Sequence, residues 1–289
     1  MNASIERSIL VTGASSGIGK ASAFALLDAG FHVYAAVRSE VAALQLRDEA
    51  PAGSVQRLET LPLDVTNEAQ IRAAVEHIAA ATGSRGLWGL FNNAGISVAA
   101  PLEFVTSDDL RRQLEVNVVG QHAVTRAFIP LLRQARGRIL TTGSVAGFIA
   151  VPGLGPYAMS KHAMEAFSDA LRRELRPWGI HVSLLEPGAI ATDIWQKALG
   201  EFDERMRAPP PGLVETYGGL LNSAHELARR SVRHASPATV VAAAAVHAFT
   251  APRPRTRYCM GADSRMQQWI SRLPDRWADA LLAKVLRWG

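Results

Sequence analysis

A single cysteine, Cys259, stands in the 289 residues. No internal disulfide can form, and a cysteine-based zinc cluster is excluded. That scarcity suits a reducing compartment. Histidines are few, and His32, His162, His181 and His247 lie far apart in the chain, without a clustered spacing, so no metal is expected. Long apolar runs are missing too. The opening stretch MNASIERSILVTG reaches a strand pattern before a signal-peptide core or a ~20-residue span could fit. A cytoplasmic protein with no membrane span is expected. Charge of one sign is also in short supply: Lys+Arg 31 stand against Asp+Glu 26. No compact basic block interleaves with aromatics, so nucleic acid is not an expected partner, although the scattered arginines bias the surface towards anionic ligands. With 48% hydrophobic and 20% charged residues, disorder is not the expectation. There is no internal repeat, low-complexity tract or linker, and the length is enough for one large α/β domain.

What the chain does contain is an alternation of short apolar runs and helical stretches. Ser8 to Thr12 reads as a strand, Gly13-Ala-Ser-Ser-Gly17-Ile-Gly19 as a tight loop, and Lys20 to Ala29 as a helix closed by Gly30. Glycines there let the backbone approach a pyrophosphate, and the helix start attracts its charge. The spacing is GxxxGxG, which differs from a P-loop, so phosphotransfer is not expected on this loop. Phe31 to Val37 reads as the second strand with Arg38 at its end. An arginine at that place suits a 2′-phosphate where an acidic residue would suit ribose hydroxyls, so NADP(H) is favoured with NAD(H) possible. Otherwise Arg38 merely caps the sheet edge in water.

Leu58 to Leu63 gives a third strand ending in Asp64-Val65, where Asp64 either meets an adenine amino group or serves as a turn residue. Asn67 caps a helix to about Ala81. Leu87 to Phe91 gives a fourth strand running into Asn92-Asn-Ala-Gly95, whose small residues permit close backbone approach, as a cofactor contact, a structural turn or both. A long helix from Thr106 or Ser107 to about Arg133 carries Asn117 among Val116, Val118 and Val119. A buried asparagine there needs a partner: a backbone carbonyl, a water or Lys161. Ile180 to Leu185 followed by Glu186-Pro-Gly188 is a further strand and turn, and Arg257 to Met260 the last strand. Six such alternations imply a parallel, doubly wound sheet.

The chemistry concentrates between Ser144 and Lys161. Arg138 to Ser144 reads as a buried strand leaving at its carboxyl end, where open α/β sheets place ligands. Tyr157 and Lys161 are four apart, so a helix starting near Pro156 puts them on one face. An ammonium beside the phenol is expected to draw its pKa of about 10 down towards the range of general acid–base work. Ser144 can steady a substrate oxygen. Residues 189–236, with Trp195, Pro209 to Pro211 and Gly218-Gly219, read as a lid or substrate-binding segment past the sheet edge. In residues 262–289, Trp277, Leu281, Val285 and Trp288 recur at helical spacing, for packing on the body or a neighbouring subunit, or for an interfacial helix.

Thr12-Gly13-x-x-x-Gly17-Ile18-Gly19, Asn92-Asn-Ala-Gly95, Asn117, Ser144, Tyr157-x-x-x-Lys161 and Pro187-Gly188 together resemble the short-chain dehydrogenase/reductase (SDR) family, collinearly from about residue 8 to 260. The resemblance implies a Rossmann-type sheet of seven strands and a catalytic tetrad. In that tetrad Tyr157 exchanges a proton with the substrate oxygen as hydride moves to or from the nicotinamide, and Ser144 positions and polarises that oxygen. Lys161 holds the nicotinamide ribose and lowers the tyrosine pKa, while Asn117 holds a water in a proton relay. Implied cofactor contacts are Gly13, Ser15, Ser16, Gly17, Ile18, Gly19, Arg38, Asp64, Val65, Asn92, Ala94, Gly95, Tyr157, Lys161, Pro187, Gly188, Ile190 and Thr192. The phrases Gly86 to Gly95, Glu165 to Glu174 and Val182 to Gly188 look like the retinol and 17β-hydroxysteroid dehydrogenase branch, which acts on bulky apolar alcohols. Against that branch stand the missing N-terminal membrane segment and Arg38 in place of an acidic residue. A lipophilic carbonyl or alcohol substrate and a homodimer or homotetramer are expected by resemblance. The competing readings are an NAD(H)-dependent alcohol dehydrogenase and a dinucleotide-binding regulatory protein without turnover.

Overall fold

A computed structural model of the chain describes residues 7–261 and 264–286. The strands are β1 (Ser8–Val11), β2 (His32–Val37), β3 (Leu58–Pro62), β4 (Gly89–Asn92), β5 (Arg138–Thr142), β6 (His181–Pro187) and β7 (Arg257–Met260). They pair in parallel in the order β3-β2-β1-β4-β5-β6-β7. This is a Rossmann-type sheet, and its order reverses between β1 and β4, so the carboxyl ends of those two strands open a crevice.

Both faces are covered, which is why the strands read as continuous apolar runs. Along β1, Ile9 and Val11 enter one core with Leu26, Val241 and Phe249. Leu10, between them, enters the opposite core with Ile78, Phe128 and Leu132. The first core is closed by α1 (Gly17–Asp28) and α9 (Ala238–Thr250), and the second by α3 (Glu68–Thr82), α5 (Gln121–Ala135) and α6 (Gly155–Glu174). Side chains as large as Phe91, Phe128 and Phe249 are fully buried, each contributing on the order of 2–3 kcal/mol by loss of apolar surface to water. α3 begins where Asn67 Oδ1 accepts the N–H groups of Ala69 and Gln70 at 3.0 and 3.1 Å, as the sequence implies.

Three elements differ from the sequence reading. α2 (Glu40–Asp48) follows β2, started by Ser39, whose Oγ accepts the Ala42 N–H; its one buried residue, Leu46, leaves little apolar periodicity to detect. α1 starts at Gly17, inside the loop as read from glycine content. The long helix holding Asn117 is three pieces: α4 (Ser107–Leu114), a π-helical stretch over Glu115–Gly120, and α5. A widened turn of this kind is favoured where a side chain must be redirected, and Asn117 is such a side chain.

Past β6 the chain forms α7 (Asp193–Arg207) and α8 (Leu213–Arg233). The Ser236 N–H donates to Ala189 O and the Ala191 N–H to Ser236 O, which closes this excursion at its base. α10 (Ser264–Ile270) and α11 (Asp275–Leu286) follow β7, with α11 lying against α8. Trp277 and Leu281 on α11 are exposed. Trp288, placed in the same apolar stripe from the sequence, lies outside the described residues. Among the described residues no helix is long and apolar enough to cross a membrane.

Candidate active site

The site forms where β1, β4, β5 and β6 leave the sheet. After β1 the chain turns at Gly13, whose φ of +63° belongs to the left-handed region; a Cβ there would stand 2.8 Å from Ala94 Cα. A Cβ at Gly19 would stand 2.1 Å from the Gly13 carbonyl oxygen, so Gly19 lets α1 close against its own loop. Ser16 precedes α1 in extended backbone and makes no capping hydrogen bond, which leaves the first N–H groups of the helix for an anion.

Asn93 clamps these strand exits together. Its main-chain N–H donates to Thr12 Oγ1 at 2.9 Å, its Nδ2 to the Thr12 and Gly13 carbonyls at 3.1 and 3.2 Å, and its Oδ1 accepts from Thr142 Oγ1 at 3.2 Å. Asn92, the neighbour named from the sequence as a cofactor contact, does not line the crevice. It is buried on the other face of β4, donating to Thr125 Oγ1 at 2.7 Å. Strand alternation explains the exchange: Asn92 shares a face with Leu90, two residues back, and Asn93 is the first residue free to turn towards the crevice.

The crevice is a cavity of about 490 Å³. Of the expected cofactor contacts, Gly13, Ser15, Ser16, Gly17, Ile18, Arg38, Asp64, Val65, Ala94, Gly95, Tyr157, Lys161, Pro187, Gly188, Ile190 and Thr192 line it, while Asn92 and Gly19 stand behind it. Arg38 is exposed at the end of β2, and no carboxylate among the described residues pairs with it. Asp64 combines both of its readings, since it lines the cavity while its Oδ1 accepts from the Thr66 N–H and Oγ1. A dinucleotide fits this cradle. The bare glycine turn and uncapped helix start suit a pyrophosphate, and the polar ends of β2 and β3 suit an adenosine half.

Tyr157 and Lys161 lie one turn apart on α6 and are both buried, as their spacing implies. Lys161 Nζ donates to the Thr142 carbonyl at 2.7 Å and sits 5.5 Å from the centre of the Tyr157 ring. Ser144 caps a short turn after β5, its Oγ accepting the Ala146 N–H at 3.1 Å. Asn117 Oδ1 accepts the Ile96 N–H at 2.9 Å, and its Nδ2 donates to the Ile96 carbonyl and to Ser160 Oγ at 3.0 and 3.1 Å. Its partners are thus backbone and Ser160, not Lys161.

The expected lowering of the Tyr157 pKa is corrected by this geometry. Burial pushes the phenol up to about 12, against a smaller pull from its hydrogen bond with Ser144. Burial pushes the Lys161 ammonium down to about 8. Both groups lose water, and the ammonium is aimed at Thr142 rather than at the phenolic oxygen. Near neutral pH the pair therefore stands as a neutral phenol beside a cation.

A second cavity, of about 210 Å³, opens beside the first and is lined mainly by apolar side chains, among them Val145, Ile149, Leu199 and Leu221. Ser144, Gly188 and Trp195 belong to both walls. Trp195 meets the Tyr157 ring edge-on with centroids 6.3 Å apart. In the sequence Trp195 belongs to a loosely patterned segment; its place beside the phenol depends on the path of the chain after β6.

The model of the family described as short chain dehydrogenase matches residues 7–201. The chain is a short-chain dehydrogenase. It is accordingly an NAD(P)-dependent oxidoreductase. Among curated relatives of this dehydrogenase is the 3-amino-tetrahydro-pyrrolizinone reductase of Xenorhabdus hominickii, 38% identical over 90% of this chain and 88% of the relative. Retinol dehydrogenase 5 of Mus musculus is 36% identical over 96% of this chain and 88% of its own. Two solved short-chain dehydrogenases are each 26% identical to this one. That of Burkholderia phymatum, in complex with NAD, has a TM-score of 0.74 over 91% of this chain and 92% of its own. That of Burkholderia cenocepacia, in complex with NADP, has a TM-score of 0.69 over 98% of each. The relation to a retinol dehydrogenase agrees with the branch read from the sequence.

Proposed function

We propose that this dehydrogenase interconverts a carbonyl and an alcohol on a lipophilic substrate with NADP(H), using Tyr157 as proton carrier. One observation carries the reading: a polar cavity with Arg38 at one end and an apolar cavity meet at Ser144 and Trp195, beside the buried Tyr157. The cofactor, when bound, supplies or accepts the hydride. Gly13, Ser15 to Ile18, Arg38, Asp64, Ala94 and Gly95 would hold it, with Pro187, Gly188, Ile190 and Thr192 on the far side. Tyr157 gives its phenolic proton to the substrate oxygen on reduction and takes it back on oxidation. A pKa raised by burial keeps that proton in place at neutral pH, which suits the reductive direction. Ser144 donates to the same oxygen, and Lys161 places a positive charge behind the phenol to steady the phenolate that forms. Asn117 fixes the π-helical turn against the strand β4 exit, and Asn93 fixes the cradle. Residues 189–236, as α7 and α8, shape and cover the apolar cavity.

The relatives' names support both halves of this reading, one being a reductase and one a retinol dehydrogenase. A cytoplasmic setting is supported by the solitary cysteine, and a homodimer or homotetramer by family resemblance. The cofactor choice rests on Arg38, whose guanidinium suits a 2′-phosphate bidentately. Fluorescence titration with NADPH and NADH checks it. The wild-type protein binds NADPH more tightly than NADH, and Arg38→Asp loses on the order of thirtyfold or more in NADPH affinity, the worth of a charge-assisted contact replaced by repulsion. Preference of the wild-type protein for NADH, or no effect of the substitution, would move the reading to an NAD(H)-dependent alcohol dehydrogenase.

A further inference from the structure

Tyr157 belongs to neither of the two large cores. It forms a small cluster of its own with Ala146 and Ala158, against which Ile194 packs, yet only 7% of it is exposed. The large apolar side chains placed against it are Ile194 and Trp195, neighbours in the first turn of α7. Trp195 is the bulkier of the two, and it lines both cavities. Its indole therefore stands on the partition between them, edge-on to the phenol ring.

The start of α7 is braced in that place from two sides. Thr192, just before the helix, rests on the glycine turn, where a Cβ at Gly17 would come within 3.1 Å of the Thr192 side chain. The bridge from Ile190 to Ser236 ties the approach to α7 to the chain returning from α8. Burial, rather than a neighbouring charge, governs the phenol held there, opposed only by the hydrogen bond with Ser144. The titratable groups around it are three. Lys161 on α6 turns its ammonium to the Thr142 carbonyl, Asp193 on α7 is exposed at the crevice, and His225 on α8 lines the apolar cavity. What covers the phenol thus decides when it ionises, because loss of water penalises the phenolate.

We propose that Trp195 is a positioning residue that acts through Tyr157: its indole keeps solvent from the phenol, and so sets the pH range over which Tyr157 holds its proton. The proposal rests on the carbonyl–alcohol reading for the use of that proton. A wall of the apolar cavity alone would have no need to touch the phenol. An indole in this position serves the cavity and the proton carrier together, so a substitution there moves the pH dependence of the site as well as its shape.

Ultraviolet absorbance of tyrosinate tests this in the cofactor-free protein. The chain has four tyrosines, so each protein is read against the same protein carrying Tyr157→Phe, and the difference reports one phenol. Absorbance is taken after a rapid jump to about pH 11, before alkaline unfolding sets in. A phenol raised to about 12 is then ionised to about a tenth in the wild-type protein, and Trp195→Ala, which returns roughly half of that rise, ionises it to about a half. The gain is about fivefold. Trp195→Phe keeps an aromatic cover and stays within about twofold of wild type. If Trp195→Ala does not fold, Trp195→Gln, with a longer side chain at this half-buried position, is read instead, and the ionised fraction rises about threefold. Equal ionisation in the wild-type protein and the folded variant, or a wild-type phenol already half ionised, overturns the proposal and leaves Tyr157 as proton carrier. The expected gain, beside ketone reduction undiminished in Tyr157→Phe, keeps the Trp195 contact and removes the proton-carrier reading.

Discussion

Tyr157→Phe lowers the rate of ketone reduction by at least about a thousandfold while leaving NADPH affinity within about threefold of wild type, because only the proton carrier is removed. The substitution deletes one oxygen and keeps the ring that packs edge-on to Trp195. Tyr157 is buried, so the phenyl group remains in the same apolar surroundings and folding is little affected. With no proton to offer, the residue at this position leaves the substrate oxygen to draw one from water, without a positioned donor. Steady-state rates with NADPH, paired with fluorescence titration of the cofactor, check both halves. A variant retaining a tenth of the wild-type rate would show that another group carries the proton.

Lys161→Met stabilises the cofactor-free protein at neutral pH and at the same time removes most of its activity. Burial lowers the Lys161 pKa from 10.5 to about 8. Between those values the unfolded chain holds a proton that the folded protein has released, so the stability contributed by this group rises with pH across the window. Below about pH 8 the folded protein carries a buried ammonium, at a cost of roughly 3 kcal/mol from a shift of that size. Loss of the bond from Nζ to the Thr142 carbonyl offsets about 1 kcal/mol of the relief. The net gain is about 2 kcal/mol at pH 7, or about 4 °C in the unfolding midpoint of a domain of this size. That gain shrinks as pH rises through 8 towards 10.5, where the wild-type lysine is neutral in the folded protein. Turnover falls on the order of a hundredfold or more, since the phenolate loses its counter-charge. Thermal unfolding at pH 7 and pH 10, with rates measured beside it, decides the matter. A variant less stable than wild type at pH 7, or a difference independent of pH, would contradict the electrostatic account of this lysine.

Much of this arrangement was legible in the sequence because the functional residues sit at element ends, where composition changes sharply. The apolar run before Gly13, the glycine spacing after it and the four-residue step from Tyr157 to Lys161 each specify a local geometry. The topology brings those geometries to one sheet edge. What was not legible depends on finer register or on chain path. Asn92 and Asn93 are chemically identical, and only the alternation of β4, carried one residue past Phe91, separates the buried one from the one that clamps the crevice. The π-helical turn at Asn117 leaves no mark in a pattern of Val and Asn; it is imposed by the Ile96 backbone and Ser160. The fall in Tyr157 pKa expected from a nearby ammonium is reversed because burial acts on both groups at once. Trp195 meets the Tyr157 ring through the path of the chain after β6, to which no local motif points.

The most direct test of the central claim is a single turnover with NADPH carrying deuterium at the C4 hydrogen that is transferred, using a lipophilic ketone that the wild-type protein reduces and mass analysis of the product. Hydride transfer in this site predicts an alcohol heavier by one deuterium, formed by the wild-type protein and not detectably by Tyr157→Phe in the same time. An unlabelled alcohol, or equal labelling by the two proteins, would contradict it.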